Sequence, residues 1–214
     1  MSDKPQIQVS RPFGPTIAKV KIPQELIDTL NNYVDKIIID EKKTKELNYG
    51  SKLAGQVKQE FQIEEAFLES SGFLKFLGLS VANWIKFSGK SEIKKFSIRS
   101  SWIVRQFKDE YNPIHWHTGH VSGVGYLKVP ENLGDTKQEI KKENPNGKLD
   151  LIHGSKMFLC NSTFTITPKV GDFYFFPNYL MHSVYPFTGS DDERRSVSFN
   201  ADIDDEIYNA YGDK

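Results

Sequence analysis

The strongest constraint on this chain is the succession of short, turn-bounded runs that begins beyond Gly89. Ile93, Phe96 and Ile98 open it. Trp102, Val104 and Gln106 then share one side of an extended run, against Ile103, Arg105 and Phe107 on the other. Further strands are expected at 121–129, 148–152, 156–160, 164–167, 172–176, 181–185 and 194–202, separated by glycine, proline and asparagine. Strands this short cannot bury themselves singly. Seven or eight of them after a helical stretch predict a mainly β fold: a sandwich or jelly roll buttressed by helices.

The part before Gly89 supplies those helices. Ile7 and Val9, then Ala18, Val20 and Ile22, alternate with polar residues around a turn at Pro12, Gly14 and Pro15. Pro23 opens a helix whose apolar face is Leu26, Ile27, Leu30, Val34, Ile37 and Ile38. Residues 41–46 read as its charged, solvated end, and 47–58 as a loop. A second helical region is expected from Ile63 to Phe87, interrupted at Gly72 or Gly78. The expectation is one domain over 1–214. In it, strands and helices of 1–90 pack on a jelly-roll core at 91–202, and 203–214 is a polar tail. Residues 131–147 form a long charged loop. That loop and the Thr118–His120 turn are expected to border the cavity mouth and to be mobile without substrate.

Composition removes several function classes. The 28 basic and 28 acidic side chains cancel, so there is no basic excess to attract nucleic acid or an anionic membrane. Cys160 is the single cysteine, which excludes an internal disulfide and a zinc site built on several thiolates. No apolar run approaches the roughly 18 residues of a membrane span, and the N-terminus lacks a signal-peptide core. A cytoplasmic location is therefore expected.

The chemistry concentrates in the histidines. All five (His115, His117, His120, His153 and His182) lie in the second half, three of them within Ile114-His-Trp-His-Thr-Gly-His120. Positions i and i+2 of an extended segment point the same way, so His115 and His117 present imidazoles to one point. A third ligand from a distant strand would complete a three-point face on a metal and leave positions open. On the run 194–200, Arg194, Ser196, Ser198 and Asn200 share one face; Arg195, Val197 and Phe199 share the other. An arginine followed two positions later by serine suits a carboxylate: a planar fork plus a hydroxyl.

These motifs come in a recognisable order: His115-Trp-His117, Ser122-Gly-Val-Gly-Tyr126-Leu, Phe176-Pro177 followed by His182, and Arg194-x-Ser196-x-Ser198-Phe-Asn200. Over roughly residues 100–201 the chain resembles the 2-oxoglutarate/Fe(II)-dependent oxygenases, in particular a prolyl hydroxylase-like branch. The resemblance implies a double-stranded β-helix, a cupin-like jelly roll, with Fe(II) in its mouth and 2-oxoglutarate as co-substrate. Carried over by position, it implies metal ligation by His115, His117 and His182. It places the co-substrate on Arg194 and Ser196, with Tyr126 lining the same pocket. His117 stands where most of the superfamily has aspartate; Asp109, Glu110 and His120 are the alternative ligands, with His120 read as facing substrate or supporting the ligands. The activity implied is hydroxylation of a second, unknown substrate, peptidyl or free amino acid, with release of succinate and CO2. The rival readings are a jelly-roll metal-binding protein without redox activity and a cupin-like metalloenzyme without this co-substrate. Elsewhere the expectations are structural. Cys160 should be buried, His153 at a turn or pocket rim, Trp102 and Trp116 in core or pocket walls, and Arg195 exposed or salt-bridged.

Overall fold

The computed structural model describes residues 7–10, 14–89, 91–138 and 140–209. Pro12, part of the expected turn, lies outside them. Two antiparallel sheets face each other. The larger has seven strands in the order β1-β2-β9-β6-β11-β4-β3, and the smaller has four in the order β5-β10-β7-β8. In chain order the large-sheet strands are β1 (Ile7–Ser10), β2 (Ile17–Lys21), β3 (Gln59–Gln62), β4 (Phe96–Gln106), β6 (Val121–Lys128), β9 (Asp172–Pro177) and β11 (Arg194–Ile203). The small sheet comprises β5 (Asn112–His115), β7 (Leu149–Ile152), β8 (Thr163–Ile166) and β10 (Met181–Val184). This is the double-stranded β-helix, assembled mostly from antiparallel pairs with strand neighbours far apart in sequence.

Three layers explain which residues are apolar. Helices α1 (Gln24–Ile38) and α4 (Phe73–Gly89) cover the outer face of the large sheet. There Leu30, Val34, Phe73, Leu77 and Val81 meet Ile103, Phe173, Phe175, Val197 and Phe199. The inner face packs on the small sheet through Tyr126, Tyr174, Phe176, Leu149, Leu151 and Ile166. With both faces covered, Asp172–Phe176 is buried at every position, so the strand reads as a continuous run rather than an alternation. The fit is tight at β6. A Cβ on Gly123 would lie 2.6 Å from the Tyr174 carbonyl oxygen and 2.7 Å from the Phe199 ring, which only a residue without one avoids.

Several sequence expectations need correction. The 41–46 stretch is a separate helix, α2 (Glu41–Glu46), because Asp40 caps it by accepting from the Lys42 and Lys43 amides. The second helical region begins at Glu65, two residues later than expected, and is interrupted at Gly72 (φ 82°), one of the two expected positions, which gives α3 (Glu65–Ser70) and α4. No strand forms over 156–160. Met157 and Cys160 bridge each other across a tight turn with Leu159 at φ 59°, so this backbone pairs with itself. Cys160 is consequently exposed, not buried. The polar tail contains a short helix, α5 (Asp205–Tyr208).

Strand β3 went unpredicted, and it carries an unusual group. Glu60 lies opposite Val104 and is 2% exposed, with neither carboxylate oxygen hydrogen-bonded among the described residues. The 47–58 loop closes over it: a Cβ on Gly55 would sit 2.7 Å from its Oε1. Burial, and then the Glu110 charge, pushes Glu60 up to about 7. An acid whose folded value is raised binds its proton more tightly folded than unfolded, so stability falls as pH rises from about 4.5 towards 7. Glu60→Gln is expected to flatten that fall and to raise the melting midpoint at pH 8 by roughly 2–6 °C. Melting curves from pH 4.5 to 8 check this; an unchanged slope would show that Glu60 finds a partner in solution.

Candidate active site

His115 ends β5 and His182 lies opposite it on β10, a register that sets two imidazoles side by side between the sheets. Their ring centroids are 4.2 Å apart. His117 lies just past the strand end, and its Nε2 comes within 3.1 Å of His182 Nε2. One ligand atom from each of the three residues lies within 4.8 Å of the others. Alternation explains a correction here. With His115 and His117 turned inward, Trp116 between them must point out, and it is 66% exposed instead of walling the pocket.

Two of the tautomers follow from local bonds. His115 Nδ1 donates to the Pro113 carbonyl at 2.7 Å, and His182 Nδ1 to the Leu180 carbonyl at 3.0 Å. An imidazole that spends Nδ1–H on a carbonyl keeps the Nε2 lone pair, here turned towards the other rings. Burial lowers all three histidines: His117 to about 2, helped by His182 and His115, and His182 to about 3, helped by His115. The rings are therefore neutral at physiological pH. At 3.1 Å the contact between His117 Nε2 and His182 Nε2 is met by a proton on His117 or by a cation between the two nitrogens, and three converging neutral imidazoles are a donor set for a divalent metal.

The other proposed ligands are elsewhere. Glu110 accepts from the Lys58 and Phe107 amides, and Asp109 sits in a left-handed turn at φ 66°. His120 points away from the cluster. Its Nδ1 lies 3.2 Å from Ile203 backbone atoms at the end of β11, and its ring stacks on Tyr208. Those contacts are with the end of β11 and with α5 (Asp205–Tyr208), and His120 is not among the three clustered histidines. His153 lies beyond the end of β7, with its ring against Gly14.

One cavity between the sheets joins the histidines to Arg194, Ser196 and Tyr126, with Trp102 and Asn112 among its walls. Trp102 stands beside His117, ring centroids 5.5 Å apart. At the far end, Arg194 is 2% exposed, and its Nη1 donates to the Gly147 carbonyl at 2.8 Å while its Nε has no partner among the described residues. The guanidinium lies 5.6 Å from the Tyr126 ring centre, and the Tyr126 hydroxyl is likewise buried without a partner. Burial pushes Tyr126 up to about 12, against a smaller opposite pull from Arg194, so the phenol keeps its proton. Two orphaned donors beside a buried cation fit one end of a dicarboxylate. No carboxylate pairs with Arg194 among the described residues.

Arg195 is not exposed but fully buried and ion-paired, because the opposite face of β11 is covered by a helix and not by water. It donates to Glu193, to Asp35 at 2.7 Å and to Asn31 of α1. The 131–147 loop and the Thr118–His120 turn do not share one mouth. The loop ends on Arg194 through Gly147, whereas the turn docks on Ala201, seven residues further along β11. Sequence reasoning also missed the Gly147 carbonyl. No motif marks a backbone acceptor 47 residues from its donor.

Residues 100–200 match a family model described as "Putative 2OG-Fe(II) oxygenase". Over this stretch, 101 of the 214 residues, the chain is similar to the 2-oxoglutarate/Fe(II) oxygenases. That family uses Fe(II) as cofactor and 2-oxoglutarate as co-substrate, and the three clustered histidines are a group able to hold the metal. No curated protein matches the sequence. Among solved structures, the chain is similar to a collagen prolyl hydroxylase of Paramecium Bursaria Chlorella virus-1 in complex with 2-oxoglutarate: TM-score 0.55, 16% identity, covering 86% of this chain and 94% of that one. A Pseudomonas putida prolyl-4-hydroxylase gives TM-score 0.54 and 15% identity over 86% and 91%. HygX from Streptomyces hygroscopicus, with nickel and 2-oxoglutarate bound, gives 0.54 and 10% over 86% and 80%. At these identities the likeness is one of fold. No described helix is long and apolar enough to cross a membrane.

Proposed function

We propose that the chain hydroxylates a C–H bond of a peptidyl or free amino acid, with one atom of O2 entering the new hydroxyl group. The other enters succinate as 2-oxoglutarate loses CO2, so R–H, O2 and 2-oxoglutarate become R–OH, succinate and CO2. When bound, Fe(II) supplies the dioxygen activation that no side chain here can perform. His115, His117 and His182 would hold it through Nε2. The observation that carries this reading is the spacing of roles in one cavity, with a neutral tri-imidazole face at one end and a buried, half-unpartnered guanidinium at the other.

The remaining residues orient and shield. Arg194 and Ser196 receive the distal carboxylate, with the Tyr126 hydroxyl as a further donor. The Gly147 carbonyl holds the guanidinium plane so that Nε faces the cavity. Three neutral ligands leave the full metal charge in place, so the co-substrate dianion neutralises what an aspartate otherwise would. Affinity for 2-oxoglutarate should therefore depend strongly on the metal. The aminoacyl reading is supported by similarity to the two prolyl hydroxylases.

Anaerobic addition of Fe(II) and 2-oxoglutarate to the full chain is expected to produce a weak visible charge-transfer band, and air is expected to release succinate. Proline-containing peptides and free amino acids, tested in parallel, should raise succinate yield above the uncoupled level. A chain that binds Fe(II) but gives neither band nor succinate would favour the binding-protein reading.

A further inference from the structure

His117 alone of the three clustered histidines lies outside a strand, so something other than a ladder must hold it. Its backbone is clasped by Asn178, the residue after Pro177. His117 N–H donates to the Asn178 carbonyl at 3.0 Å, Asn178 Nδ2 donates to the His117 carbonyl at 3.2 Å, and the Asn178 amide donates to the His120 carbonyl at 3.2 Å. The Asn178 side chain is oriented in turn. Its Oδ1 accepts from the Tyr208 hydroxyl at 3.1 Å, which leaves Nδ2 for His117. Tyr208 also stacks on His120, centroids 4.0 Å apart and planes 11° apart. The segment bearing Tyr208 is anchored at its start, where Asp204 accepts from the Lys94 and Lys95 amides at 2.8 and 2.9 Å.

We propose that residues 204–208 form a strap that positions His117 for metal binding through Tyr208 and Asn178, neither of which touches the metal. This rests on the metal reading above. A ligand beyond a strand end must be ordered when the ion binds, and side-chain ordering opposes affinity by lost conformational freedom. The clasp does that ordering beforehand. Three of its bonds are to backbone atoms of the ligand's own turn, and loss of the one made by a side chain, Asn178 Nδ2 to the His117 carbonyl, should loosen His117 without disturbing His115 or His182, which the β5–β10 ladder holds.

The test is Co(II) titration of the full chain, alongside amide hydrogen exchange of the metal-free protein. Tyr208→Phe keeps the ring on His120 and removes only the hydroxyl. It is expected to weaken Co(II) binding about three- to tenfold, the effect of one hydrogen bond. Asn178→Ala should weaken it more than tenfold. Both should speed exchange at the His117 and His120 amides while the melting midpoint of Tyr208→Phe stays near that of the parent. Glu206→Ala, an exposed residue of the same helix, should change nothing. Co(II) affinity within twofold of the parent in Tyr208→Phe, with unchanged exchange at His117, would overturn the strap. A parent that fails to bind Co(II) would instead sink the metal reading, and exchange at His117 would then decide the strap by itself.

Discussion

Arg194→Lys is expected to raise the 2-oxoglutarate concentration for half-maximal succinate release about ten- to a hundredfold, while Arg195→Lys leaves it within about twofold. The two arginines are neighbours of equal charge and nearly equal burial, so overall electrostatics would make them equivalent. They differ in what they face. Arg194 lines the cavity and has an Nε without a partner among the described residues; Arg195 has its guanidinium engaged by Glu193, Asp35 and Asn31 beneath α1. A lysine at 194 keeps charge but loses the planar fork, and a charge-assisted bond to a carboxylate contributes roughly 1.5–3 kcal/mol. At about 1.4 kcal/mol per factor of ten, that gives the stated range. At 195 the loss should appear as stability, about 1–3 kcal/mol, with Asp35 half-exposed and so screened. Succinate release against 2-oxoglutarate concentration, together with melting curves, separates the two. Equal effects on co-substrate use would show that Arg194 does not meet a carboxylate.

The second large effect belongs to the imidazole face. His182→Ala should lower Co(II) or Fe(II) affinity by more than about a hundredfold and abolish succinate release, since changes merely behind a metal ligand already cost tenfold to a hundredfold. His153→Ala, outside the cluster, should leave metal affinity within about twofold. A metal-free check runs through pH. Folded His117 and His182 titrate near 2 and 3, whereas unfolded histidines titrate near 6.5. Depressed folded values mean that the unfolded chain takes up protons first, so stability is lost as pH falls from about 6.5 towards 3. His182→Ala should reduce that slope. A slope unchanged by the substitution would mean that the rings are open to water, and comparable Co(II) binding by His182→Ala and His153→Ala would remove His182 from the site.

The site was legible in the sequence to the extent that strand alternation governs it. Period two in β11 separates Arg194 from Arg195, and the same alternation carried two residues past the end of β5 places His117 with His115. The same rule, applied fully, would have turned Trp116 outward. The order of motifs over residues 100–201 carried the resemblance to the family and thereby the jelly roll, because strand count and turn spacing are local properties. Local sequence also determined α1, through its apolar face after Pro23. What only the tertiary structure decided is which faces are covered. Arg195 looks like a surface residue until α1 lies over it, and Glu60 looks like a loop carboxylate until the 47–58 segment closes on β3. The Gly147 carbonyl meets Arg194, and Tyr208 meets Asn178, across 47 and 30 residues of chain. Such contacts are made by the packing of distant strands. They leave no periodic mark, because backbone acceptors look alike in every residue and a single polar side chain carries no spacing to read.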